Sequence, residues 1–303
     1  MHDYKLIEAM ARVVLEGGFE RAARVLNISQ SAVSQRVKLL EEQAGQVLLS
    51  RTAPPSPTRA GELFLAHYFK VSHLEADLGE TLAPGADEGF HTLTVGVNAD
   101  SLETWLLPGL AAFLERERVL LDFCVDDQDE TLRFLKSGET VGCITSSAEP
   151  VQGCRMAYLG AMVYRMVASP AFAERWFGAG FEAGAASRAP AVLFNRKDEL
   201  HGRFLKAWLS YPPRSFPRHY VPSSGSVVTT IVQGMGYGMV PMQQASPLLS
   251  AGALTDVAPG REIKVPLFWH VWNVKSALLE RFSRGLVEGA RRTLLQETHG
   301  ESP

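Results

Sequence analysis

The chain has 303 residues, 46% of them hydrophobic and 21% charged, with a formal net charge of −3, the make-up of a globular protein with room for two or three domains. No apolar run reaches the roughly 18 residues of a membrane span, and Met1-His2-Asp3-Tyr4-Lys5 lacks the basic start and apolar core of a signal peptide, so the cytoplasm is the expected location. Three cysteines, Cys124, Cys143 and Cys154, are too few for a disulfide framework and are not spaced as zinc ligands.

Charge is not spread evenly. The first 60 residues hold eight basic and six acidic side chains, a net of +2, which leaves −5 on the remainder. A mildly basic head on an acidic body suits a nucleic-acid-binding N-terminus.

The spacing of Leu6, Met10, Val13 and Val14 predicts a helix over residues 4–16, stopped by Gly17-Gly18. A short helix follows from about Glu20 to Leu26, with Ala22, Ala23 and Leu26 inward. After the turn Asn27-Ile28-Ser29, a third helix runs from Gln30 to about Gln43 on Val33, Val37, Leu40 and Ala44, and Gly45 ends it. Helix, three-residue turn, helix is the helix-turn-helix pattern. The outer face of the third helix presents Ser31, Ser34, Gln35 and Lys38, with Gln30 and Arg36 at its flanks, groups that read base edges and hold phosphates. A generic three-helix packing unit with a solvated polar face would show the same spacing.

Residues 46–58, with three prolines, read as a stiff hairpin or wing. Thr58 is placed to cap a long helix from Arg59 to about Leu82, whose apolar stripe is Phe64, Tyr68, Val71, Leu74, Leu78 and Leu82. Such a stripe needs a partner: its own domain, or a second copy of itself, which would set two recognition helices on two half-sites.

Residues 83–91 are a linker by composition. Beyond it, strands are expected near 93–97, 119–125, 141–145, 163–169, 191–194, 218–221, 238–240 and 267–272. Helices fit near 101–115, 129–137, 171–176, 200–210, 224–233 and 276–296. This alternation predicts a doubly wound, mostly parallel α/β arrangement in two lobes. The Gly234-Met235-Gly236-Tyr237-Gly238 run follows a helix and precedes a strand, the reverse of a dinucleotide loop, and reads as a turn. No nucleophile elbow, phosphate loop or metal-ligand spacing occurs, which argues against an enzyme.

The run from Ala22 to Glu41 (Ala-Ala-Arg-Val-Leu-Asn-Ile-Ser-Gln-Ser-Ala-Val-Ser-Gln-Arg-Val-Lys-Leu-Leu-Glu) resembles the N-terminal signature of LysR-type transcriptional regulators, and Leu48-Leu49-Ser50-Arg51 with Thr58-Arg59-Ala60-Gly61 fits the same pattern. The body resembles their lysine- and arginine-responsive branch, the regulators of amino-acid export. The matching pieces are Arg51 to Thr58, Val97 to Pro108, Val125-Asp126-Asp127 and Leu267-Phe268-Trp269-His270. Asn195 stands where that branch commonly has an acidic residue.

The resemblance implies a winged helix-turn-helix over 1–58, a dimerisation helix over 59–82, a hinge over 83–91 and a two-lobed, periplasmic-binding-protein-like effector domain over 92–303. Lobe I would take about 92–161 and 267–303, and lobe II about 162–266. DNA contacts would come from Ser29, Gln30, Ser31, Ser34, Gln35, Arg36, Lys38 and Arg51. The implied partners are promoter half-sites in double-stranded DNA, a second or fourth copy of the chain, RNA polymerase, and an effector that is L-lysine or L-arginine, with histidine as a third candidate. No cofactor is implied. A LysR-type regulator with a different effector, and an architectural or replication-inhibiting DNA-binding protein, are the alternatives.

For a basic amino acid, the α-carboxylate wants helix N-termini and hydroxyls. Asp100-Ser101, Thr145-Ser146 and Ser223-Ser224 supply them at strand ends or helix starts, where they would serve equally as ordinary caps. The ammonium groups want carboxylates, and Asp126, Asp127 and Asp198 are the candidates, although Asp126 and Asp127 could also open a solvated acidic loop. Trp105 could wall the aliphatic stem or be plain core.

Overall fold

The computed structural model describes residues 3–50, 52–82, 90–126, 131–213 and 215–296. Arg51 and Asp127, both singled out above, lie outside these residues, as does most of the linker over 83–91.

The N-terminal head is three helices, α1 (Tyr4–Leu15), α2 (Phe19–Val25) and α3 (Gln30–Ala44). Each boundary has a local cause. The Asp3 carboxylate accepts from the Lys5 N–H at 3.0 Å, and Ser29 Oγ accepts from the Ala32 N–H at 3.2 Å, satisfying donors that a helix start leaves open. Gly17 and Gly45 stop α1 and α3 in left-handed conformations at φ 66° and 67°. Ala22 and Ala23 are buried among Met10, Val13, Val33, Val37 and Leu40, so their small size lets α2 seat closely on its neighbours. The wing is pinned by a Leu49–Pro57 bridge and by Ser50 N–H donating to the Ser56 carbonyl at 2.8 Å.

Helix α4 (Arg59–Leu82) starts on Thr58, whose Oγ accepts from the Gly61 N–H at 3.2 Å. Its N-terminal half buries Leu65 and Tyr68 in the head, while Leu63, Leu74 and Leu78 are 70%, 42% and 56% exposed. The Leu82 side chain lies outside the described set. The same helix touches the C-terminal body. Gly138, at φ 83°, lets Ala66 pack directly on its Cα, and Lys70 Nζ sits 5.6 Å above the ring of Trp272.

The body begins with β1 (His91–Asn98), then α5 (Ala99–Ser101), a π-helical turn over Leu102–Leu106, and α6 (Leu107–Leu114). The spacing predicts one continuous helix here. The widened turn (a feature that recurs at functional sites) instead turns Trp105 inward, where its Nε1–H donates to Ser101 Oγ at 3.0 Å. There follow β2 (Val119–Asp126), α7 (Leu132–Ser137), β3 (Gly142–Thr145), β4 (Cys154–Ala168), α8 (Pro170–Phe177), α9 (Ala183–Ala186), β5 (Ala191–Leu193), α10 (Leu200–Trp208), β6 (Arg218–Tyr220), α11 (Ser224–Val232), β7 (Tyr237–Pro241), α12 (Met242–Ser250), β8 (Thr255–Asp256), β9 (Ile263–Trp272) and α13 (Ala277–Thr293).

The strands run in the order β2-β1-β3-β9-β4-β7-β5-β6, with β8 beside β4. The sheet is parallel at both ends, where β1 pairs with β2 and β3, and β5 with β6 and β7. Antiparallel β4 and β9 join the two parts, so the arrangement is two-lobed α/β as expected but mixed rather than mostly parallel. One core gathers residues between Leu93 and Tyr164 with Leu200 and Val265 to Leu294, and two smaller ones gather other residues between Met166 and Ala258.

Four elements escape the sequence, the first being the one-turn helix α9. The first half of β4 hides behind Gly160, which looks like a breaker. It holds φ 125° at a register shift between Tyr158 and Gly160, a β-bulge that keeps the strand going. Helix α12 contains Pro247, which argues against a helix from sequence alone, and β8 is only two residues long. The Gly234–Gly238 run does turn into a strand. A side chain at Gly236 or Gly238 would press on the backbone of Pro190 or Val192, so glycine there permits β7 to approach β5.

Candidate functional site

On the head, Ser29, Gln30, Ser31, Ser34, Gln35 and Lys38 are exposed and Arg36 is half-buried. The apolar residues of α3 point the other way, with Val33, Val37 and Leu40 buried. Ser29 caps the helix and its hydroxyl lies 2.9 Å from that of Ser31. Lys38 makes an exposed pair with Glu42 at 3.7 Å, too weak to withhold it from a phosphate. The polar strip therefore lies open on the outer face of α3.

In the body, a narrow cavity of about 40 Å³ lies between the two parts of the sheet, so a ligand would have to part the lobes to enter it. Asp100, Asp126, Asp198 and Ser224 of the sequence candidates line it, together with Tyr164, His201 and Gln244. Asp100 follows β1, and Ser224 opens α11, on the opposite part of the sheet. The Ser224 hydroxyl donates to Asp100 Oδ1 at 2.5 Å and the Tyr164 hydroxyl donates to Asp100 Oδ2 at 2.7 Å. Ser224 Oγ is also 3.3 Å from Gln244 Oε1. Burial pushes the Asp100 carboxyl above its ordinary value, against the two hydrogen bonds, and the nearby Glu103 charge adds to the rise.

Asp126 is held by Arg133 at 3.0 Å. Asp198 accepts the Phe194 and Leu200 N–H groups at 3.1 and 3.0 Å, which fixes the loop before α10 while its carboxylate faces the cavity. Asn195 is part of the same loop. Its Oδ1 accepts from the N–H groups of Lys197 and Asp198 at 2.7 and 3.0 Å, the turn that aspartate would also make, and it does not line the cavity. Among the described lining residues there are three carboxylates and no lysine or arginine.

The remaining sequence candidates are placed elsewhere. Ser101 and Trp105 are fully buried against each other, Ser101 Oγ also facing Met162 Sδ at 3.7 Å. Thr145 is buried and its Oγ accepts from the Ser147 N–H at 3.3 Å, and Ser146 lies beside it without lining the cavity. Ser223 is exposed and caps α11 through the Ser226 N–H. Tryptophan and small hydroxyls at these points complete packing and caps, which the sequence pattern cannot separate from ligand contacts. Conversely Tyr164, His201 and Gln244 carry no local signal. They reach the cavity because β4, α10 and α12 converge there, and only the fold shows it.

Cys143 is fully buried and Cys124 and Cys154 are half-buried, and burial pushes all three thiols up, away from thiolate reactivity. Among the described residues no cluster of His, Cys, Asp and Glu could hold a metal ion, and no helix is long and apolar enough to cross a membrane.

Comparison with known proteins matches residues 4–62 to the family described as "Bacterial regulatory helix-turn-helix protein, lysR family" and residues 86–290 to "LysR substrate binding domain". A protein from Pseudomonas aeruginosa named "HTH-type transcriptional regulator ArgP" is 44% identical over 292 residues, 96% of each chain. The crystal structure of ArgP from Mycobacterium tuberculosis is 34% identical, with a TM-score of 0.88 over 98% of this chain and 100% of that one. Full-length LysG from Corynebacterium glutamicum with bound effector Arg is 32% identical, with a TM-score of 0.79 over 97% of this chain and 100% of that one.

Proposed function

The chain belongs to the lysR family of bacterial regulatory helix-turn-helix proteins and is a DNA-binding transcription regulator; from that premise we propose that its effector is a basic amino acid, L-arginine or L-lysine, held in the cavity between the lobes. The observation that carries this reading is the charge of the cavity: Asp100, Asp126 and Asp198 line it with no described lysine or arginine among them. Carboxylates partly withdrawn from water are costly alone and favourable beside an ammonium or guanidinium. The bound Arg in the LysG relative supports the same ligand class.

The switch follows from the two ends of one hydrogen bond. Asp100 and Ser224 belong to opposite parts of the sheet, so a ligand ammonium that takes over Asp100 changes what holds the lobes together. A ligand shifts an equilibrium only through such differential contacts. The exposed Leu63, Leu74 and Leu78 of α4 form the seam by which two chains pair, setting two copies of α3 on promoter half-sites. Pairs of dimers, contact with RNA polymerase, an exporter gene as target and the cytoplasm as location complete the proposal.

Isothermal titration with L-arginine, L-lysine and L-histidine tests the effector. Heat with arginine or lysine supports it, and no heat with any of the three overturns it. Footprinting with and without arginine tests the regulator role. Discrete half-sites whose protection changes with arginine are expected, whereas diffuse AT-rich coverage would point to an architectural protein.

A further inference from the structure

His201, in the first turn of α10, is 1% exposed and lines the cavity. Its ring is held on two sides, stacked on Phe216 with centroids 4.9 Å apart and edge-on to Tyr237 at 4.9 Å. Neither Nδ1 nor Nε2 has a hydrogen-bond partner. A buried polar group without a partner costs free energy, and a phenylalanine or leucine would fill the same space without that cost. The imidazole is not there for charge either. Burial and the neighbouring Arg218, itself stacked on Phe216 at 4.2 Å, lower its pKa to about 3. At cellular pH the ring is neutral, with one N–H donor and one acceptor nitrogen.

We infer that His201 is a specificity-determining residue of this cavity, its unprotonated ring nitrogen accepting a hydrogen bond from an N–H of the ligand's cationic group. The chemistry is complementary. An ammonium offers three donors and a guanidinium five, with no acceptor, and a neutral nitrogen adds an acceptor to the carboxylates without adding charge. Asp198 stands three residues earlier with both oxygens already engaged by backbone N–H groups, which leaves its charge as attraction and a further acceptor as the directional contact. The stacked rings fix the direction in which that acceptor points. The inference rests on the basic-amino-acid reading, and the test separates the two.

The experiment uses the full-length protein with L-arginine and L-lysine as titrants. His201→Phe keeps the stacked ring and removes both nitrogens, so arginine affinity should fall roughly tenfold or more, the scale of one lost hydrogen bond to a charged group, while the Tm of the ligand-free protein holds or rises. His201→Gln, which restores an acceptor, should recover part of the loss. The ¹⁵N resonance of the unprotonated His201 nitrogen in the unsubstituted protein should move when arginine is added, which a packing role does not require. If that protein binds neither amino acid, the effector reading fails. If it binds arginine while His201→Phe binds within twofold and the ring nitrogen does not move, the effector reading stands and this inference is overturned. Should His201→Phe not fold, the resonance alone decides.

Discussion

Ser224 donates a 2.5 Å hydrogen bond to Asp100, joining residues 124 positions apart and tying the start of α11 to the short helix α5 that follows β1. Glu103 reinforces the junction: a Cβ on Gly225, the next residue in α11, would lie 3.0 Å from Glu103 Oε1. A carboxylate near a helix N-terminus is favourable. The closure of the cleft thus hangs on acidic groups from one part of the molecule meeting the N-terminus of a helix from the other.

Asp100→Asn should raise the Tm of the ligand-free protein at pH 7 and abolish its response to arginine. The sign follows from burial. The folded state holds the Asp100 carboxyl above its ordinary value of 3.8, so the carboxyl favours folding when protonated and loses that contribution as pH rises through the folded value. Asparagine carries no such penalty. Calorimetry should show an advantage of roughly 2–4 °C, the response of a domain of this size to about 1 kcal/mol, closing as the pH falls toward 3.8. A variant less stable than the parent at pH 7 would contradict this.

Arg133→Ala should tighten arginine binding. Arg133 is 59% exposed at its side chain and occupies Asp126 at 3.0 Å, so it competes with a cationic ligand for that carboxylate. An exposed pair contributes about 0.2–1 kcal/mol, so titration should show a gain of up to roughly fivefold that shrinks at high salt. Weaker binding would remove Asp126 from the ligand's partners.

Gly138→Ala should destabilise the contact between α4 and the body. Gly138 holds φ 83°, and a Cβ there would overlap Ala66 of α4. The backbone strain alone is worth about 1–2 kcal/mol. Gly252→Ala is the control, because Gly252 has φ 70° and open space around it. If contact with α4 carries the signal from the effector lobes to the head, Gly138→Ala should weaken the effect of arginine in a gel-shift assay while Gly252→Ala leaves it intact.

The DNA face makes a further prediction. Gln35→Ala should relax sequence choice at one or two positions, because amide side chains read base edges. Lys38→Ala should weaken binding evenly across sequences and reduce the salt slope by about 1. Binding assays over a salt series with cognate and scrambled DNA distinguish the two, and identical behaviour would mean that α3 presents another face.

Much of the molecule can be read without coordinates, and the reasons are local. The head follows from a short-range code: apolar spacing at 3.6 residues, caps at Asp3, Ser29 and Thr58, and glycines at 17 and 45 where the chain must turn left-handed. The alternation of strands and helices in the body follows from the same periodicities. The strand order does not, because long-range pairing leaves no mark on neighbouring residues. Gly160 and Pro247 mislead for that reason: each breaks a local rule that a bulge or a packed helix overrides.

The site divides along the same line. Asp100, Asp126, Asp198 and Ser224 are legible because charge and hydroxyl groups at strand ends and helix starts are locally visible, and the fold brings those four to one cavity. Trp105, Ser101 and Thr145 carry equally good local signals yet are buried in core and caps. Tyr164, His201 and Gln244 have no local signal and line the cavity all the same. The sequence alone thus determined that a helix-turn-helix head precedes an acidic two-lobed α/β body. Only the tertiary structure decided which polar groups face one another across the cleft, because that depends on antiparallel β4 and β9 joining the two parts of one sheet and bringing together residues as distant as Asp100 and Ser224.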